Sequence, residues 1–393
     1  MKAFTKNRIE SIDILRGVIM VIMALDHVRD YFHFGSFLGA DPSAIETTTP
    51  LLFFTRFITH YCAPIFVFLA GTSAFLFGCT KSKSILFKFL FTRGLWLIFL
   101  EMFVNTFIWT FNINYSFIIF QVIWAIGFSM ICVSFLIFLP KRVLLILGIL
   151  LVAGHNVLDS IVVQGDSVQS IVWYVLHQEN VLVYDSVTII LKYPVIPWIG
   201  IMILGYLFGG FYQKNFKAPL RRKWLLRLGL GLIALFFILR GINIYGDLIP
   251  WSVQETTTKT IFSFFSVTKY PPSLLYLCIT LGPAMLFLCA FETTKNKLTD
   301  FFLVFGRVPL FYYFLHILVI HSFAIIGILI FGGKWQDMIF TSEGPSQNLL
   351  AYGYSLGVVY LVWIGVVLFL YPFCKKYMKY KANNKDKWWL SYL

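Results

Sequence analysis

Four ionisable residues fall within five positions of one apolar stretch: Asp26, His27, Arg29 and Asp30. An imidazole flanked by carboxylates and guanidinium groups can take a proton from a nucleophile and steady developing negative charge. General acid–base chemistry at a reacting centre has both requirements. The spacing sorts the cluster into two i,i+3 pairs, Asp26 with Arg29 and His27 with Asp30. Asp30 is then the nearest carboxylate for orienting His27. We read His27 as the general base, an imidazole being suited to proton transfer near neutrality, with Arg29 as its electrostatic neighbour.

The element that must carry these residues is a helix over 11–32, apolar from 12 to 25 apart from Asp13, Arg16 and Gly17. With Ser11 at the inner edge of a bilayer, a rise of ~1.5 Å per residue puts His27 ~24 Å deeper in a core ~30 Å thick. Ionisable groups at such depth cost up to roughly 2.5–3.5 kcal/mol each, so they imply a wet, protein-lined site. A snorkelling cluster at the helix end is the plainer alternative.

The same reckoning on other apolar runs brings further polar residues to the outward half. Arg56 and His60 are four apart and share a face, and Glu101 and Asn105 repeat that spacing. His155, Arg240, Lys269 and His316 add to them. Each alone is explained by a buried polar group satisfied by a neighbouring helix; together they suggest a chamber opening outward. His60 is the second choice of base, Arg56 a further electrostatic partner, and Asp26 or Glu101 a further orienting carboxylate. Lys269 and His316 are candidates for holding the acceptor. Toward the other face lie Arg16, Lys88, Arg93 and Arg307, which could clamp phosphates of a cofactor or serve only as topology anchors.

The 393 residues are 59% hydrophobic and 13% charged, with a net charge of +14. That composition predicts an all-α, multi-pass bundle of about ten helices, one domain over 1–393, with spans at 11–32, 53–77, 84–111, 117–139, 143–161, 193–212, 224–244, 270–291, 301–331 and 350–373. Lys2, Lys6 and Arg8, Lys81 and Lys83, Lys141 and Arg142, the 214–223 loop, Lys295 and Lys297, and the 375–387 tail alternate with base-poor loops. Both termini are therefore expected in the cytoplasm, and the excess of base reflects membrane topology rather than nucleic acid. Pro64 and Pro309, inside predicted spans, should kink them or open backbone groups, and the glycines at 200, 205, 209 and 210 should let helices pack closely. The six cysteines show neither CxxC nor paired loop spacing, so no disulfide framework and no metal site are expected. No phosphate-cradling GxxxxGK or GxGxxG element occurs.

The stretch SIDILRGVIMVIMALDHVRDYF, with HYCAPIFVFLAG from His60 to Gly71, resembles the heparan-alpha-glucosaminide N-acetyltransferase catalytic-domain family, including its bacterial members. Arg16-Gly17, a polar residue ten positions after that glycine at His27, and P-x-F-V-F-x-x-G from Pro64 carry the likeness. IPWIGIMILGYLFG, KYPPSLLYLCITLGP and FGRVPLFYYFLH resemble further signatures of the bacterial members. The first motif is also similar to that of the broader acyltransferase-3 group, in which a first-helix histidine is central, mapping to His27. The resemblance implies ten or eleven spans, cytosolic acetyl-CoA as donor, and an extracytoplasmic amine or hydroxyl, often on a sugar, as acceptor. The lysosomal branch relies on a histidine in its first luminal loop; here the 34–50 loop has none and only His33 adjoins it, so the animal acceptor does not carry over.

A proton-coupled transporter or permease for a small polar solute is the competing class, since mid-membrane charges also bind and couple ions. The two halves of the chain do not mirror each other, which disfavours it. The reading is thus a plasma-membrane acyltransferase whose partners are acyl-CoA, a glycan or small polar acceptor, the bilayer, and a second copy of itself in a homodimer.

Overall fold

The computed structural model describes residues 9–38, 41–384 and 386–391; Lys2, Lys6 and Arg8 lie outside them. The chain is mostly helical, 69% helix and 5% strand. Its helices are α1 (Glu10–Phe32), α2 (Pro50–Thr59), α3 (Cys62–Gly78), α4 (Lys83–Phe99), α5 (Thr106–Thr110), α6 (Val122–Leu136), α7 (Lys141–Ala153) and α8 (Val168–Leu176). They continue with α9 (Ile196–Phe208), α10 (Ala218–Ile242), α11 (Thr257–Phe265), α12 (Leu274–Ala290), α13 (Lys297–Arg307), α14 (Pro309–Phe331) and α15 (Leu356–Asn383). Among the described residues, four helical stretches are long and apolar enough to cross a membrane: Pro50–Gly78, Ala218–Ile242, Pro309–Phe331 and Leu356–Asn383. Val122–Leu136, Ile196–Tyr212 and Leu274–Ala290 are shorter apolar helices. The chain is a membrane protein.

α1 sits at the centre. It packs against α2, α3, α12, α13, α14 and α15, and only Glu10, Arg16, Val18, Ile22 and Asp30 along it escape burial. A helix buried almost all round belongs to the core of a large bundle. Its closest neighbour is α13, and glycine permits the approach: a Cβ on Gly17 would fall 1.9 Å from the Phe302 carbonyl oxygen, and one on Gly306 1.8 Å from that of Asp13. The Arg-Gly dipeptide is therefore a packing site as well as a cation. Gly71 on α3 and Gly205 on α9 make the same reciprocal crossing, as expected of the sixth-span glycines.

The basic loops gather at one end. Lys295 lies 2.8 Å from Glu10, Lys83 donates to the Phe138 carbonyl, and Arg221 pairs with Glu292. α1 begins at this basic end. α15 starts beside α1's far end, where Phe32 and Tyr354 meet, and runs back to the basic end. The far end is closed by irregular loops, α8, α11 and a small sheet ordered β1–β3–β2, with β1 (Phe117–Phe120) parallel and β2 (Asn180–Tyr184) antiparallel to β3 (Val187–Leu191).

That sheet corrects the all-α expectation: 117–120, assigned to a span, is a strand. The 143–161 segment stops being α-helical at Ala153, and 270–273 and 350–355 lie outside α12 and α15. The prolines also act differently. Pro64 lies in the first turn of α3, after a break at His60–Tyr61, and Pro309 is the first residue of α14. Both occupy first turns, where the missing donor is harmless, so the chain breaks before them rather than kinking over them.

Candidate functional site

α1 and α14 run side by side, and their polar residues meet. His27 Nδ1 lies 2.7 Å from His316 Nε2, and His316 Nδ1 lies 2.9 Å from the Tyr312 carbonyl. A carbonyl only accepts, so His316 donates from Nδ1; its Nε2 in the neutral ring then accepts from His27 Nδ1–H. The chain of donors leaves Nε2 of a neutral His27 with its lone pair. The ring is packed between Trp109 and Tyr313, edge to face at centroid distances of 4.9 and 6.3 Å, and His27 keeps 9% exposure.

Asp26 makes its expected pair with Arg29, but Asp30 does other work than expected. Asp30 pairs with Arg29 at 2.6 Å rather than orienting His27, so His316 replaces it as the partner of that ring and is no simple acceptor contact. Asp26 gathers Arg29 at 2.8 Å, both its oxygens receive Arg56 Nη1 at 2.9 and 2.7 Å, and Thr59 donates at 3.0 Å. This carboxylate ties α1 to α2. Nε and Nη1 of Arg29 and Nε of Arg56 are buried without hydrogen-bond partners among the described residues.

His60 caps α2 at the break before α3; its carbonyl accepts from the Tyr276 hydroxyl at 2.7 Å, and its Nδ1 is buried without a partner. Lys269, over the Tyr270 ring at 5.1 Å, is close enough for its charge to reach Asp26, His27 and His60. Glu101 is fully buried in a π-helical turn, Leu100–Asn105, between α4 and α5. Its oxygens accept from Asn105 at 3.0 Å and from the backbone N–H groups of Gln121 and Trp124 at 3.1 Å each. Negative charge at a helix start is favourable, so Glu101 caps α6. It is linked to the site through Asn105, which also donates to the Tyr313 hydroxyl at 3.5 Å. Arg240 donates to the carbonyls of Phe264, Ile249, Ser263 and Ser266, holding the far-end loop before α12.

Arg16, Arg93 and Arg307 line one cavity of about 300 Å³. Arg16 donates to Asp13, to the Gly306 carbonyl and to Ser73. Beyond the cations the walls turn apolar, with Met20, Leu97 and Met130 among them, and Tyr313 lines the cavity too. Tyr313 is thus shared between the cavity and the His27 pocket. Lys381, Ser73 and Tyr313 were missed from sequence; only Tyr313 carries a signal, standing three residues before His316 on the same helix face.

A profile of the family described as heparan-alpha-glucosaminide N-acetyltransferase, catalytic, matches residues 8–241. The chain belongs to that family. Membership makes it a membrane protein of an acetyltransferase family, with transferase activity as the family property. The matched residues hold every candidate on α1 to α4, together with His60, Glu101 and Arg240. Lys269, Arg307 and His316 lie beyond them, as do KYPPSLLYLCITLGP and FGRVPLFYYFLH. No curated protein matches the chain.

Proposed function

We propose that the protein moves an acetyl group from cytosolic acetyl-CoA to an amine or hydroxyl of an extracytoplasmic acceptor, in the plasma membrane, with the basic end in the cytoplasm and about ten spans. The carrying observation is the cavity whose wall joins Arg16, Arg93 and Arg307 to Tyr313, the residue that packs against His27. Guanidinium groups suit phosphates, and a cavity of about 300 Å³, small among ligand pockets, suits the acylated pantetheine arm with the nucleotide left at the mouth. Arg16 and His27 are eleven residues apart on one helix, about 16 Å at its rise.

In this reading the acceptor enters from the far end past Lys269. His27 Nε2 takes the proton from its hydroxyl or ammonium-derived amine as the nucleophile attacks the thioester carbonyl. The unpartnered N–H groups of Arg29 or Arg56 are the donor type a tetrahedral oxyanion needs. Collapse breaks the C–S bond, and the CoA thiolate takes up the proton. Family membership favours transfer over transport. Purified protein in detergent should bind acetyl-CoA and release free CoA thiol in the presence of a hydroxyl- or amino-sugar; absence of any acyl-CoA binding would sink the reading.

A further inference from the structure

The far end holds a grouping that the transfer site does not use. His155 opens the short turn His155–Leu158 after α7, Asp159 follows it, and His177 ends α8. The fold brings one potential ligand atom from each within 4.8 Å of the others. His177 Nε2 lies 3.1 Å from Asp159 Oδ1, and the two imidazoles are 5.5 Å apart between centroids. His155 is 2% and His177 3% exposed, yet among the described residues neither the His155 ring nor Nδ1 of His177 makes a well-formed side-chain hydrogen bond. The Pro272 carbonyl lies within reach of one His155 nitrogen, which leaves the other for a ligand.

We propose that His155, Asp159 and His177 bind a divalent transition-metal ion, Zn²⁺ foremost, that clips the turn after α7 to the end of α8. Two imidazole nitrogens and one carboxylate oxygen are the donor set of a borderline cation, not of Ca²⁺ or Mg²⁺, which take oxygen. Tetrahedral ligands ~2.0–2.1 Å from zinc stand about 3.3 Å from one another. The Nε2 to Oδ1 pair is already at that separation, and the widest pair closes by at most roughly 1.5 Å. Asn156 Nδ2 donates to the other Asp159 oxygen at 2.8 Å, the outer contact that orients a ligating carboxylate. The Asn156 side-chain carbonyl in turn accepts from the Leu274 N–H, which ties the grouping to the start of α12. A fourth position is left for water.

Full-length protein in detergent, stripped with chelator, would be titrated with Co²⁺ and the visible d–d band followed, then back-titrated with Zn²⁺. One saturating equivalent of Co²⁺, displaced by Zn²⁺, is expected, together with a Zn²⁺-dependent rise in Tm. Asp159→Asn and His177→Gln should each weaken Co²⁺ binding at least about tenfold; if either does not elute as a monodisperse species, His155→Gln is read in its place. No saturable band in the unaltered protein, or equal affinity in the variants, overturns the proposal and leaves the His177–Asp159 contact as a plain hydrogen bond.

Discussion

His27 and His316 share one hydrogen bond of 2.7 Å between rings carried by different helices. His316 is fixed in its tautomer by the Tyr312 carbonyl, and that fixes which nitrogen of His27 keeps a lone pair. In the proposed reaction His316 would orient the base, the part a carboxylate plays in many hydrolases.

His27→Ala should lower transfer by about 10²–10⁴-fold, the usual contribution of a general base. The protein should stay folded and bind acetyl-CoA with unchanged affinity, as judged by gel filtration and calorimetry. Full activity would move the role to His60.

His316→Ala should also reduce turnover, but less than His27→Ala, and His316→Gln should recover part of the loss by accepting from Nδ1. If His316 acted only by contacting acceptor, its loss would raise KM with kcat kept. The positioning role lowers kcat instead, so steady-state kinetics separates the two.

Arg16→Ala, Arg93→Ala and Arg307→Ala should each weaken acetyl-CoA binding, by roughly tenfold for a lost charge-assisted contact of about 1.5 kcal/mol. Calorimetry on the purified variants reads this. Unaltered affinity in all three would leave them as anchors of topology.

Asp26→Ala should be the most destabilising change in the polar cluster. It leaves Arg29 and Arg56 as buried cations without their shared carboxylate, a loss of about 3–5 kcal/mol where one partner of a buried pair is removed. Glu101→Ala should cost less, about 1–2 kcal/mol as a lost helix cap, and should lower Tm more than activity per folded molecule. Thermal unfolding of both variants in one detergent compares them directly.

The sequence carried the helical membrane class, the central first helix and the pairing of Asp26 with Arg29, because hydropathy and i,i+3 spacing are local. It also marked Arg16, Lys88, Arg93 and Arg307 as one group by depth, and the three arginines line one cavity while Lys88 does not. It could not foresee that His27 turns to His316, since that contact spans 289 residues and depends on how α14 rotates against α1. Glu101 was misleading for a related reason: a lone acid in an apolar run signals a site, and nothing near it announces that it caps a helix beginning twenty-one positions later. The strand at 117–120 was lost in the hydropathy of FIIF, which suits a strand and a span equally.

The match to the family stops at residue 241, and the imidazole that fixes the His27 ring enters with α14. A nascent chain halted just before that helix holds Arg16, Arg93 and His27 but offers His27 Nδ1 no His316 to donate to. The two imidazoles are therefore made far apart in synthesis. A chain that ends before α14 also lacks Leu310, Tyr313 and Lys381 of the cavity wall, so neither the His27–His316 bond nor the cavity exists until nearly all of the chain has been laid down.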